Sequence, residues 1–126
     1  MSKDLFITVT GFNNYHGLKP FKVNSVLKLV KEPDNAYDDE AIAVEMRYAG
    51  KVGFVANSYR RKAKGTMSAG RIYEKILDKD YAQVKFITDS AIIAKVLTIE
   101  EQDELRKDPE NDINYLDNYD NSNSHH

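Results

Sequence analysis

The stretch from Lys31 to Val44 limits what this chain can become more than any other. It reads Lys-Glu-Pro-Asp-Asn-Ala-Tyr-Asp-Asp-Glu-Ala-Ile-Ala-Val and joins two apolar runs through a segment dense in turn formers. Pro33 fixes its own φ and pushes Glu32 toward an extended backbone. Asp34 and Asn35 bond their own backbone readily and tolerate positive φ. The apolar runs on either side read as strands, which places Tyr37 and Asp38 on a stiff loop between them. A tyrosine held there can offer its ring to a flat ligand, and the carboxylate beside it can accept a hydrogen bond from a hydroxyl.

The same alternation of apolar and polar residues recurs along the chain. Leu5–Phe12, Val23–Val30, Ala41–Tyr48, Lys51–Val55, Tyr81–Thr88 and Ala91–Ile99 each read as a strand. In the second, Leu27 and Leu29 share one face. In the third, Ile42, Val44 and Met46 do so, and in the fifth Val84 and Phe86 are expected to point inward. Gly11 reads as a bulge or a close approach. Ala49-Gly50 is short enough to make strands three and four a hairpin. Asn57 or Ser58 is placed to cap a short helix that stops at Gly65. Residues 65–70 read as a mobile loop and Arg71–Leu77 as a helical turn or two. Glu100–Lys107 reads as a short exposed helix ended by Pro109. The pattern predicts a mainly β fold: a small antiparallel barrel of about six strands with one or two short inserted helices.

At 126 residues the chain has the length of one domain. We read residues 1–99 as the barrel and 100–126 as an acidic tail, largely disordered beyond Pro109 because it is rich in Asn and Asp. Charge follows that division. Residues 1–98 hold 16 Lys and Arg against 11 Asp and Glu, a balance of +5, whereas residues 99–126 hold 2 against 9, a balance of −7. An acidic tail of this kind is usually a solubilising segment, although it could fold over a basic edge and compete with nucleic acid. The chain has no cysteine, so disulfides and thiolate metal sites are excluded, and a cytoplasmic setting is the expectation. No stretch is apolar enough to span a membrane, and the first residues do not read as a signal peptide. The phosphate loop Gly-x-x-x-x-Gly-Lys-[Ser/Thr] is absent, as is a dinucleotide fingerprint. Glu32, Asp34, Asp38, Asp39 and Glu40 cluster in sequence, but their spacing misses the EF-hand loop. No cofactor is implied.

The central segment, Glu32-Pro33-x-Asn35-x-Tyr37-Asp38-x-x-Ala41-Ile42-x-Val44, resembles the signature of the HIRAN domain. That module stands at the N-terminus of some helicase-like DNA-remodelling ATPases and also occurs alone in bacterial proteins. Val9-Thr10-Gly11 with Tyr15 and Gly17 agrees upstream, and Lys51-Val52-Gly53-Phe54-Val55 downstream, so the likeness runs over roughly residues 5–76. It implies a small barrel of the SH3-like or OB-like kind. It also implies a non-enzymatic module that binds DNA, as single strands or 3′ ends, in repair or processing, with a helicase or nuclease as a partner protein.

The resemblance assigns roles. Tyr37 would stack on a terminal base, Asp38 would accept the 3′-hydroxyl, and Asn35 would help hold the backbone. Spacing alone favours a structural turn in which Asn35 and Asp38 bond local amides and Tyr37 lids the barrel. Tyr15 matches the second of two aromatics in the family's upstream loop. Asn13 and Asn14 stand where DNA-end-binding members have a basic residue and the other aromatic, Phe54 replaces a histidine, and Asn57 a lysine. Phe54 could stack if it points outward, but such a residue is more often core. Arg60, Arg61, Lys62 and Lys64, interleaved with Tyr59, form the densest basic cluster in the chain. They read either as a solvated helix or as an edge that tracks phosphates. Two other function classes stay open: a peptide-binding module using the same face or an open strand edge, and, less favoured, a metal-dependent nuclease using the loop carboxylates.

Overall fold

The computed structural model describes residues 4–123, with side chains to Asp117. The reading of the first three residues as no signal peptide lies outside the described residues. Six strands form a closed antiparallel barrel: β1 (Phe6–Thr10), β2 (Val26–Glu32), β3 (Ala41–Met46), β4 (Gly50–Val55), β5 (Lys79–Ile87) and β6 (Ile92–Val96). Their order around the barrel is β1-β4-β3-β2-β5-β6. Three helices complete the described residues: α1 (Ala69–Ile72), α2 (Ile99–Arg106) and α3 (Asp112–Asn123). No helix among the described residues is long and apolar enough to cross a membrane.

Alternation builds the interior. Ile7 and Val9 of β1, Leu27 and Leu29 of β2, Ile42 and Val44 of β3, and Val84, Ile92 and Ala94 of β5 and β6 are fully buried in one cluster. Ile72 of α1 plugs the same core. Closure depends on a glycine. A Cβ on Gly53 would lie 2.7 Å from the Thr10 carbonyl oxygen and 3.0 Å from Val9, so only glycine lets β4 come this close to β1. Gly11 is no bulge. It takes a left-handed conformation, φ +73°, and turns the chain from β1 into a single 3-10 turn over Phe12–Asn14.

Several expectations are corrected. Residues 57–65 are a chain of turns, not a helix, because side chains take the amides that a helix would use. Ser58 Oγ accepts from Arg60 N at 3.2 Å, and the buried Thr8 hydroxyl accepts from Ala63 N at 2.9 Å. The 65–70 loop is pinned at Thr66, whose hydroxyl bonds Thr8 Oγ1 at 2.8 Å and the Ala63 carbonyl at 2.7 Å. Phe86 points outward and is 59% exposed, because the β5–β6 register shifts between Val84 and Phe86 and inverts the alternation. Gln102 of α2 is buried and donates to Asp80 at 2.8 Å and to the Leu97 carbonyl at 3.1 Å.

The largest difference lies in the segment read as a disordered tail. Composition argued for disorder, but Ile113 and Leu116, three residues apart, place two apolar side chains on one face of α3. Both are fully buried against Val26, Tyr81 and Leu97 on the outside of the barrel. This docking covers Lys28, which is 1% exposed and donates to the Leu116 carbonyl at 3.4 Å. The Arg47 guanidinium lies 3.4 Å above the Tyr115 ring and 3.6 Å from Asp112, while Asp117 meets Arg106 at 3.3 Å. Burial opposes the charge on Arg47, yet its contacts with Tyr48, Tyr115 and Asp112 raise its pKa above the ordinary arginine value. Asp112 and Asp117 are thus engaged with Arg47 and Arg106 rather than with the basic cluster at 60–64.

Leu116→Ala is expected to destabilise the protein by about 2–4 kcal/mol, as for other buried leucines, read by chemical denaturation. An unchanged midpoint would mean that α3 does not dock as described.

Candidate nucleic-acid interface

The loop after β2 is organised by one side chain. Asn35 Oδ1 accepts from the amides of Tyr37 at 2.9 Å and Asp38 at 3.2 Å. Its Nδ2 donates to Glu32 Oε1 at 3.0 Å, and Lys51 Nζ meets Glu32 Oε2 at 2.7 Å. The loop backbone is therefore tied to both β2 and β4. Burial pushes Glu32 up, but hydrogen bonds from Lys51 and Asn35 outweigh it and hold the carboxyl below its ordinary value of 4.5.

Asp38 is braced in turn. Its Oδ1 accepts from Glu40 N at 2.9 Å, and its Oδ2 from Asn57 Nδ2 at 2.7 Å. Asn57 Oδ1 then accepts from Gly70 N at 2.7 Å, which ties the loop to α1. A Cβ on Gly70 would come within 2.9 Å of Glu40 Oε1. Each carboxylate oxygen of Asp38 still has a lone pair to offer. Among the described residues Tyr37 makes no comparable side-chain contact, and at 97% exposure it does not lid the barrel.

Asn35, Tyr37, Asp38 and Phe54 line one shallow pocket of ≈ 230 Å³, with Ala41 and Val55. Phe54 is half-buried and not a core residue. Its ring centroid lies 6.3 Å from that of Tyr15, and Lys51 Nζ sits 5.0 Å above it. The structure therefore brings Tyr15, Phe54, Tyr37, Asp38 and Asn35 to one end of the barrel. Asp38, Asp39 and Glu40 also present oxygens within 4.8 Å of one another.

The basic residues divide. Arg60, Arg61 and Lys62 line a separate cleft of ≈ 620 Å³, together with Gly11, Asn13 and Asn14 of the 3-10 turn and the β5–β6 turn. Lys64 is exposed and does not line it. Gly11 lines the cleft, and a Cβ on it would lie 4.0 Å from the Phe54 ring, which lines the pocket. Sequence reasoning missed the Glu32–Lys51 brace, for which it offered no local signal. It read Asn57 as a departure from the family pattern and as a candidate helix cap, whereas in the structure Asn57 is the clamp on Asp38.

Acid should release the loop brace. Glu32 has a depressed folded pKa, so its contribution is present above 4.5 and is lost as the pH falls through the lower folded value. The amide resonances of Tyr37 and Asp38 should shift together as the pH falls below 4.5, and Glu32→Gln should abolish that shift. Resonances that stay fixed in wild type would show that the brace does not hold the loop.

A search of curated proteins finds no match. Among solved structures, the HIRAN domain of human HLTF aligns with a TM-score of 0.52 and 22% identity, over 82% of this chain and 87% of that one. A protein from Lactobacillus plantarum aligns with a TM-score of 0.51 and 20% identity, over 73% and 89%. Both likenesses concern the fold. The family model of the HIRAN domain matches residues 2–93, most of the chain and all of the pocket, and this protein belongs to the HIRAN domain family.

Proposed function

We propose that this chain is a non-enzymatic DNA-binding module that takes single strands or 3′ ends, in repair or processing, alongside a helicase or nuclease partner protein. One observation carries the reading: an almost fully exposed Tyr37 ring stands on a backbone fixed by Asn35, in the same pocket as Asp38 and Phe54. A ring presented in this way suits stacking on a base, which is sequence-tolerant because every base has a π-face. Asp38 beside it accepts the hydroxyl of a strand end. Tyr15 extends the aromatic surface behind Phe54. Arg60, Arg61 and Lys62 supply attraction to phosphates from the neighbouring cleft, and Lys64 adds to the field at longer range. The peptide-binding alternative loses ground on one of its two routes, because among the described residues the barrel is closed, with β1 paired to both β4 and β6.

Tyr37→Ala should weaken binding of a labelled oligonucleotide by about 1–3 kcal/mol and leave the unfolding midpoint unchanged. A 3′-phosphate should weaken wild-type binding, since two anions would meet at Asp38, and Asp38→Ala should remove the preference for a 3′-hydroxyl. Equal affinity for both strand types, with Tyr37→Ala silent, would overturn end capture.

Replacing Arg60 and Arg61 with alanine should weaken all strands alike. The slope of log K against log salt should flatten by roughly 0.7 for each phosphate that is no longer neutralised on single strands. Binding that ignores salt altogether would instead favour a peptide groove.

A further inference from the structure

Phe86 is the aromatic that strand alternation puts inside and the structure puts outside. The register shift after Val84 leaves Phe86 directly across from Ile93 of β6, and Ile93 is directly across from Thr8 of β1. Cross-strand partners project to the same face of a sheet and touch. Since Ile92 and Ala94 are fully buried, Ile93 faces outward, and so do Thr8 and Phe86. One row therefore crosses the outer surface of the barrel from Thr8 through Ile93 to Phe86.

That row ties Phe86 to the basic cleft. At one end Thr8 anchors the basic turn, through Ala63 N at 2.9 Å and Thr66 at 2.8 Å. Arg60, Arg61 and Lys62 of that turn form one wall of the cleft, and Ile93 lines it. At the other end Phe86, which is 59% exposed and lies outside the cleft's own lining, stands beside Ile93. Among the described residues no carboxylate is paired with Arg60, Arg61 or Lys62. The arrangement sets unneutralised cations against an apolar floor and an aromatic edge. Its ≈ 620 Å³ lies within the range of about 300–1,000 Å³ in which small-molecule sites fall. Phosphodiester oxygens suit the cations, and a base suits Ile93 and Phe86.

We infer that Phe86 and Ile93 form a second base-stacking platform, which makes the basic cleft a second nucleotide site next to the Tyr37 pocket. The inference rests on the proposed DNA-binding function and extends it: the ligand is a strand of several nucleotides that passes over Gly11 from one site to the other, and not a lone terminal nucleotide.

The test is fluorescence anisotropy with a dinucleotide and an octanucleotide of DNA, both ending in a 3′-hydroxyl, with inorganic polyphosphate as competitor. Phe86→Ala should weaken the octanucleotide about tenfold and leave the dinucleotide and the polyphosphate unchanged. Phe86→Trp should restore the octanucleotide. Because the ring is largely exposed, the thermal midpoint should not move. If Phe86→Ala leaves the octanucleotide unchanged while Tyr37→Ala weakens both oligonucleotides, the second site is wrong and end capture stands. If Phe86→Ala weakens polyphosphate equally, Phe86 acts by holding the basic turn and the stacking role is wrong. If wild type binds neither oligonucleotide, the DNA-binding reading falls and the second site falls with it.

Discussion

The close approach of β4 to β1 at Gly53 is the constraint on which the rest of the structure depends. The registered pairing there is short, Val9 with Val55 and Thr10 with Phe54, and it closes the barrel. It also sets the neighbourhood of every candidate binding residue. Phe54 is the residue after that glycine. Gly11 and Tyr15 lie where the chain leaves β1, and Thr8 of the same strand anchors the basic turn. The Asn35 loop is joined to β4 through Lys51. A larger residue at Gly53 would displace the pocket and the cleft together, because both are built on the seam it permits.

Polar contacts then fix what the seam positions. Glu32, Asn35 and Asp38 form a relay from β2 through the loop to Asn57 and Gly70. Polar networks of this kind act as a unit, so removing one member loosens its neighbours. Far from the pocket, Arg47 does comparable work for α3, stacked between Tyr48 and Tyr115 and facing Asp112. The left-handed backbone at Tyr48, φ +71°, brings that ring to Arg47. One chain thus uses hydrogen-bond geometry where it needs a fixed loop and cation stacking where it needs a docked helix.

What the sequence made legible follows the range of the forces involved. Strand positions and the stiffness of the Asn35 loop are local matters of alternation and turn chemistry, and both are found where the residues put them. The family was also legible, from a dense run of matched residues in that loop. The Tyr15–Phe54 pair was not, because it depends on which strands meet across the barrel. Phe86 was misplaced by one extra residue in β5, a parity change that leaves no mark in composition. The turns at 57–65 looked helical because the competitor for their amides, the Thr8 hydroxyl, lies 55 residues away. In α3, counting Asn and Asp obscured the decisive pair, Ile113 and Leu116, whose spacing was visible.

On the proposed function, Tyr37 bears on how fast a strand is held and let go. Its backbone is ordered before any ligand arrives, while its ring is in water. Capture then has to order only the two side-chain torsions of a tyrosine, and no loop has to fold onto the ligand. Association can proceed near the rate at which charge-steered encounters occur, and differences in affinity between ligands fall mainly on residence time. Under that proposal, a site of this design would suit sampling many strands briefly and staying on those that also engage the neighbouring cleft.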